Sequence, residues 1–227
     1  MQIVVTGANR GIGLEFVKQL SQQGHHVVAT ARQPDKAQEL QQWAQDHDVM
    51  ISQLDVSDAK SVEQFVGQFA DKDIDVLINN AGVYPKSGQL GELDWEMFSK
   101  GFEVNAIAPI RLSEALLPAL KRGQGRKIAQ VTSQMGSIAD NGSGGHYAYR
   151  MSKAALNMGN KSLAQDLGEE GFVCLALHPG WVQTDMGGAN AKLTPKQSVE
   201  GMIQNIFQSE QDKNGAFLSW DGSTLPW

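Results

Sequence analysis

The 227-residue sequence predicts an α/β fold: a doubly wound, seven-stranded parallel sheet with helices on both faces. Three observations lead to it. Seven short runs are apolar at odd and even positions alike, the pattern of strands covered on both faces. Stretches with helical spacing separate them, as in repeated strand–helix–strand units. No internal repeat, low-complexity linker or shift in composition breaks the alternation, so residues 1–227 read as one domain. The fixed hand of parallel crossovers then favours the doubly wound arrangement.

The runs lie at 2–6, 26–31, 49–54, 74–79, 127–133, 173–178 and 216–220. After the first, Leu14, Val17 and Leu20 recur at helical spacing until Gly24 stops them. Val62, Phe65, Val66 and Phe69 do the same after a cap at Ser57 or Asp58. The two longest helices are expected at about 94–121 and 147–167. Pro109 should kink the first of these, because proline has no N–H to give and crowds the preceding turn.

Composition narrows the function. With 41% hydrophobic and 19% charged residues the chain can bury a sizeable core. A net charge of -6 with no Lys/Arg cluster argues against nucleic acid as a partner. Glycine is in excess, 24 residues where average usage gives roughly 16, which suggests tight turns and close backbone approach to a ligand. The one cysteine, Cys174, excludes a disulfide framework and cysteine-rich zinc sites, reads as an inert core residue, and fits a reducing, cytoplasmic setting. His25, His26, His47, His146 and His178 lack metal-ligand spacing, so no metal is expected. The apolar run at 2–6 is too short for a signal-peptide core, and no stretch approaches the roughly 20 apolar residues of a membrane span.

The first strand runs straight into Thr6-Gly-Ala-Asn-Arg-Gly-Ile-Gly13 and then a helix. At such a junction a nucleotide phosphate meets unpaired N–H groups and the positive helix end. The spacing Gly7-x3-Gly11-x-Gly13 is not the general Gly-x-Gly-x-x-Gly fingerprint, and an ordinary strand-to-helix turn is the alternative. The second strand ends at Ala31-Arg32, where an acid would grip a ribose 2′-hydroxyl. Arg32 there and Arg10 in the loop suit a 2′-phosphate instead, which predicts NADP(H). Asp35 keeps NAD(H) as an alternative, and the two arginines also read as solvated surface charges.

Tyr149-Arg-Met-Ser-Lys153 puts a phenol and an ammonium on one helix face. A phenol titrating near 10 becomes a useful acid–base group once a cation stabilises its phenolate. Taken alone, the pair also reads as a surface tyrosine and lysine. Tyr147 has Met151 at i+4, so only Tyr149 has the lysine.

In combination these motifs resemble the short-chain dehydrogenase/reductase family over essentially the whole chain, nearest its sniffer-type carbonyl reductases and C-factor-like proteins. The resemblance lies in Thr6-Gly-x3-Gly-x-Gly13, in Asp55, in Asn79-Asn-Ala-Gly82, in Asn105, Ser133, Tyr149 and Lys153, in Pro179-Gly-x3-Thr184 and in the run His178–Gly187. It implies a Rossmann fold and a catalytic set of Asn105, Ser133, Tyr149 and Lys153. It implies a cofactor set of Gly7, Asn9, Arg10, Gly11, Ile12, Gly13, Arg32, Asp55, Val56, Asn80, Ala81, Gly82, Pro179, Gly180, Val182 and Thr184, together with Tyr149 and Lys153.

The implied reaction is hydride transfer between a nicotinamide and a carbonyl or alcohol carbon of a small molecule. Tyr149 would give the proton, Ser133 would bond the same oxygen, Lys153 would hold the ribose hydroxyls, and Asn105 would hold a water linking Lys153 to solvent. Ser137 is the alternative serine, with 140–145 as a small insertion before the tyrosine. Asp55 reads equally as a turn or cap acid. Met135, Met151, Met158 and Trp181 would line the substrate side or pack in the core. The loop 185–195 is expected to be mobile and to form much of the pocket wall. Kinship also implies a homodimer or homotetramer, built through the two long helices. The rival from another class is a dinucleotide-binding signalling protein with incidental turnover. An epimerase or dehydratase is disfavoured, since too little chain follows Thr184 for a sugar-binding lobe.

Overall fold

The computed structural model describes residues 1–227. Its strands are β1 (Gln2–Val5), β2 (His26–Ala31), β3 (Val49–Gln53), β4 (Val76–Asn79), β5 (Lys127–Val131), β6 (Val173–His178) and β7 (Phe217–Ser219). They form one parallel sheet in the order β3-β2-β1-β4-β5-β6-β7, the doubly wound arrangement expected. Each strand feeds both faces. Ile3 and Val5 belong to a core packed under α1 (Gly11–Gln22), α2 (Gln38–Ala44) and α8 (Pro195–Gln208). Val4 points the other way, into a core under α3 (Ala59–Gly67), α5 (Ala108–Ala115), α6 (Leu117–Arg122) and α7 (Tyr147–Leu167).

Strand ends differ from expectation where side chains or neighbouring elements take the backbone bonds. The fourth strand starts at Val76 because Ile74 N–H goes to Ala119 C=O. The Asp75 carboxylate closes the end of the ladder, accepting from the N–H groups of Gln2, Gln124 and Gly125 at 2.8–3.1 Å. At the other end of β5, Thr132 N–H still reaches Leu177 C=O, but Ser133 turns away to cap a 3₁₀ turn, Gln134–Gly136. The last strand is also shorter than the run 216–220. The cap of α3 is Asp58, which accepts from Lys60 and Ser61 N–H, and Phe69 is buried beyond the helix end.

The expected helix at 94–121 is broken twice. α4 (Trp95–Phe102) passes into a π-helical turn, Glu103–Ile107, whose i→i+5 bond runs from Ala108 N–H to Glu103 C=O. Pro109 therefore sits in the first turn of α5, where a missing N–H is tolerated. Pro118 begins α6 in the same way. The carboxyl end of α8 is closed by Lys127 from β5, whose Nζ donates to the carbonyls of Ile206, Phe207 and Ser209 at 2.8, 3.3 and 2.7 Å. A cation there also meets the negative end of the helix. No helix is long and apolar enough to cross a membrane.

Candidate active site

Strand order reverses between β1 and β4, and in open α/β sheets a crevice forms at that point outside the carboxyl ends of the strands. A cleft of about 860 Å³ lies there. Its lining includes every residue of the two expected sets except Gly180, Val182, Asn105 and Ser133. Gly180 has φ +80, and a Cβ on it would stand 2.4 Å from the Leu193 side chain, so backbone geometry and packing both favour glycine here. Val182 is buried and bridges to Leu193.

The turn after β1 is held to the segment after β4 by side-chain bonds. Thr6 Oγ1 accepts from the N–H groups of Asn80 and Ala81, each at 3.0 Å, while Asn80 Nδ2 donates to the carbonyls of Thr6 and Gly7 at 2.9 and 3.2 Å. The glycines keep this junction thin. A Cβ on Gly7 (φ +65) would stand 2.9 Å from Ala81 Cα, and one on Gly13 would stand 2.2 Å from Gly7 C=O. α1 begins here with no side-chain cap and no acid in its first turn, so its N–H groups and positive end face the cleft unneutralised. Backbone thinned by glycine, open N–H groups and flanking cations fit a dinucleotide pyrophosphate.

Arg32 lines the same cleft together with Gln33 and Lys36, two residues that carry no motif in the sequence. Arg10 reaches instead to Asp185, with which it forms an exposed ion pair. Asp55 shows both expected characters. Its Oδ1 accepts from Ser57 N–H and Oγ at 3.0 and 2.7 Å, a side-chain turn, and the residue also lines the cleft beside Val56.

Tyr149 and Lys153 sit one turn apart on α7, both buried and both in the cleft wall. Lys153 Nζ donates to Val131 C=O at 2.9 Å and lies 5.9 Å from the Tyr149 ring centre. Burial draws the lysine down to about 8. Burial likewise pushes the Tyr149 phenol up to about 12, against the neighbouring Ser133 hydroxyl, which lowers it. Ser133 is thus the serine at the phenol. Ser137 has spent its hydroxyl, donating to Trp227 C=O at 3.3 Å and accepting from Asp140 N–H at 3.1 Å. Gly136, three residues after Ser133, lets α7 come close: a Cβ there would stand 2.8 Å from the Lys153 carbonyl carbon.

Asn105 is fully buried in the π turn. Its amide clasps Val83, accepting from the N–H at 2.8 Å and donating to the C=O at 2.9 Å, and also donates to Ser152 Oγ at 3.0 Å. Both amide hydrogens are thus committed, and the oxygen is engaged once. Its backbone carbonyl lacks the usual α-helical donor, because the residue four positions on, Pro109, has no N–H to return.

The strap 185–195 is hydrogen-bonded at its carboxyl end to residues 181–183. Gln183 N–H bonds Leu193 C=O, Leu193 N–H bonds Trp181 C=O, and Gln183 Nε2 bonds Ala191 C=O, at 2.9–3.0 Å. Thr184 packs against Gly11, and Met186 joins the lining. Met151 and Met158 lie exposed on α7 instead of lining the cleft. Cys174 is buried, which pushes its thiol up to about 12.

Fold and cleft define a doubly wound α/β protein of the Rossmann type. The short chain dehydrogenase family model matches residues 1–194, and the chain belongs to that family. It is 50% identical to the C-signal of Myxococcus xanthus over 154 residues, which cover 68% of this chain and 93% of that protein. The carbonyl reductase Sniffer of D. melanogaster superposes with a TM-score of 0.93 at 36% identity, covering 100% of this chain and 99% of the other. An NADPH-bound carbonyl reductase from chicken fatty liver does so with the same TM-score and identity, covering 100% and 98%.

Proposed function

We propose that the protein is an NADP(H)-dependent carbonyl reductase, with Tyr149 as proton donor to the carbonyl oxygen. The observation that carries this is the presence of Tyr149 and Lys153 in the wall of a cleft that also holds Arg32 and Lys36, with Ser133 beside the phenol. The structural likeness to an NADPH-bound carbonyl reductase supports the same cofactor. Gly7, Asn9, Gly11, Ile12 and Gly13 would hold the pyrophosphate, Arg32 and Lys36 the 2′-phosphate, and Asp55, Val56, Asn80, Ala81 and Gly82 the adenine side. Pro179 and Thr184 would face the nicotinamide.

When bound, the cofactor supplies the hydride. The chain supplies orientation and the proton. A phenol raised to about 12 keeps its proton at neutral pH and gives it up only as negative charge develops on the substrate oxygen. Ser133 Oγ bonds that oxygen and stabilises the same charge. The Lys153 ammonium favours the phenolate that results, and the Asn105 carbonyl holds the water through which the proton is replaced. We further propose that residues 1–227 act as one domain, in the cytoplasm, where a lone buried thiol is at home. Exposed Ile107, Met151 and Met158 support assembly into a homodimer or homotetramer.

The likeness to the C-signal favours one other reading, a dinucleotide-binding signalling protein with incidental turnover. Loss of reduced-nicotinamide absorbance against a panel of aldehydes, ketones and quinones separates the two. Consumption that prefers NADPH to NADH supports the reductase; tight NADPH binding with no turnover supports the signalling protein.

A further inference from the structure

Beside Tyr149 stands a second phenol that the reaction described above leaves unused. Tyr84 follows Val83, the residue clasped by the Asn105 amide. Three residues on, Ser87 Oγ accepts the Ala148 N–H at 3.4 Å, and Pro85 is pressed against Gly101, where a Cβ would stand 2.9 Å from the proline ring. The segment that carries Tyr84 is therefore fixed to the helix that carries Tyr149.

The ring is fixed as well. It lies 4.5 Å from the Tyr149 ring, tilted by 42°. Its hydroxyl is 2.7 Å from Nδ1 of His146, the residue that opens α7 in a left-handed conformation with φ +50. Gly144 and Gly145, with φ of +61 and +66, bring the chain into that conformation. A ring held at its backbone and at its hydroxyl presents a constant face. The ring itself carries no charge, and the nearby Arg150 is held by Met135 C=O, Gly144 C=O and Ser143 Oγ at 3.4, 3.3 and 2.8 Å.

We propose that Tyr84 determines substrate choice. Its anchored ring is the wall beside which the substrate's substituent lies when the carbonyl oxygen meets Tyr149 and Ser133. It selects carbonyl carbons bearing a flat, uncharged aryl or conjugated group over those bearing a compact aliphatic one. The inference rests on the reductase reading. A planar group stacked on a fixed ring gains about 3- to 10-fold in kcat/KM beyond what its area gives.

The test measures kcat and KM for benzaldehyde and for propanal at saturating NADPH, in the native chain and in Tyr84→Ala, Tyr84→Leu and Tyr84→Phe. The readout is the ratio of the two kcat/KM values. The native ratio favours benzaldehyde. Tyr84→Ala and the volume-preserving Tyr84→Leu lower it about 3- to 10-fold, chiefly through the KM for benzaldehyde, and Tyr84→Phe restores it. A ratio that stays at the native value in the alanine and leucine variants overturns the proposal, including the case where both aldehydes slow together and Tyr84 merely supports Tyr149. A native protein that binds NADPH yet turns over neither aldehyde, nor any other carbonyl, removes the reductase reading itself. The two failures are thus distinguishable.

Discussion

Arg32 and Lys36 are exposed, form no ion pair, and line the cleft, Arg32 directly after β2 and Lys36 at the end of the 3₁₀ turn Pro34–Lys36. A 2′-phosphate placed there would carry about -1.5 to -2 charges. A hydrogen bond to such a group is worth about 1.5–3 kcal/mol when shielded, and solvent reduces this to about 1–2 kcal/mol for each exposed side chain. Arg32→Ala and Lys36→Ala should therefore each weaken NADPH binding by about 5- to 30-fold. The NADH affinity should change by less than about 2-fold, since NADH offers these cations no phosphate at that position. Titration of reduced-nicotinamide fluorescence at fixed ionic strength reads both constants. Arg10, already paired with Asp185, should matter less than Arg32. Equal weakening of NADPH and NADH, or of neither, would refute the placement of the 2′-phosphate.

Gly13→Ala puts a methyl 2.2 Å from Gly7 C=O, and backbone cannot give way as a side chain can. It should cost about 1–3 kcal/mol of stability and weaken NADPH at least about tenfold, measured by thermal melting and titration; an unchanged Kd would detach this loop from the cofactor. Lys127→Met leaves three carbonyls at the end of α8 without their donor, and should cost about 2 kcal/mol, a fall in Tm of about 4–8 °C. An unchanged Tm would show that water replaces the ammonium freely. Burial holds Lys153 near 8, so its charge is present below that pH and lost above it, while Tyr149, at about 12, stays protonated throughout. The kcat/KM for NADPH, which reports the free enzyme, should be flat below about pH 8 and fall above it; a rise above pH 8 would contradict the role of the ammonium.

All seven strands were legible because each is apolar on both faces, and a sheet buried between helices leaves no other pattern. Their ends were less so. Asp75 and Ser133 redirect backbone bonds at β4 and β5 through contacts made by residues distant in the chain. Pro109 announced a break between 94 and 121, but a π turn has no residue signature, since its bonds are a matter of backbone register. Tyr149 and Lys153 were legible from i, i+4 spacing only in combination with the other motifs along the chain, since the pair alone also reads as surface residues. Ser133 was preferred to Ser137 from the sequence, and the fold adds the physical reason to favour it, that the Ser137 hydroxyl is already engaged. For Asn105 the fold adds that the side chain braces Val83. Lys36 and Tyr84 were invisible: a surface lysine after a strand and a tyrosine in a loop carry no periodicity, and their places follow from the cleft and from the Asn105 clasp.

The central claim is that the Tyr149 phenol gives the proton. Tyr149→Phe removes the hydroxyl and keeps the ring that packs against Tyr84. Run beside the native chain with NADPH and a carbonyl that the native chain reduces, it should lower kcat by about 10²- to 10⁴-fold. NADPH affinity and melting temperature should stay near native values. Consumption of NADPH at a near-native rate by Tyr149→Phe would contradict the account.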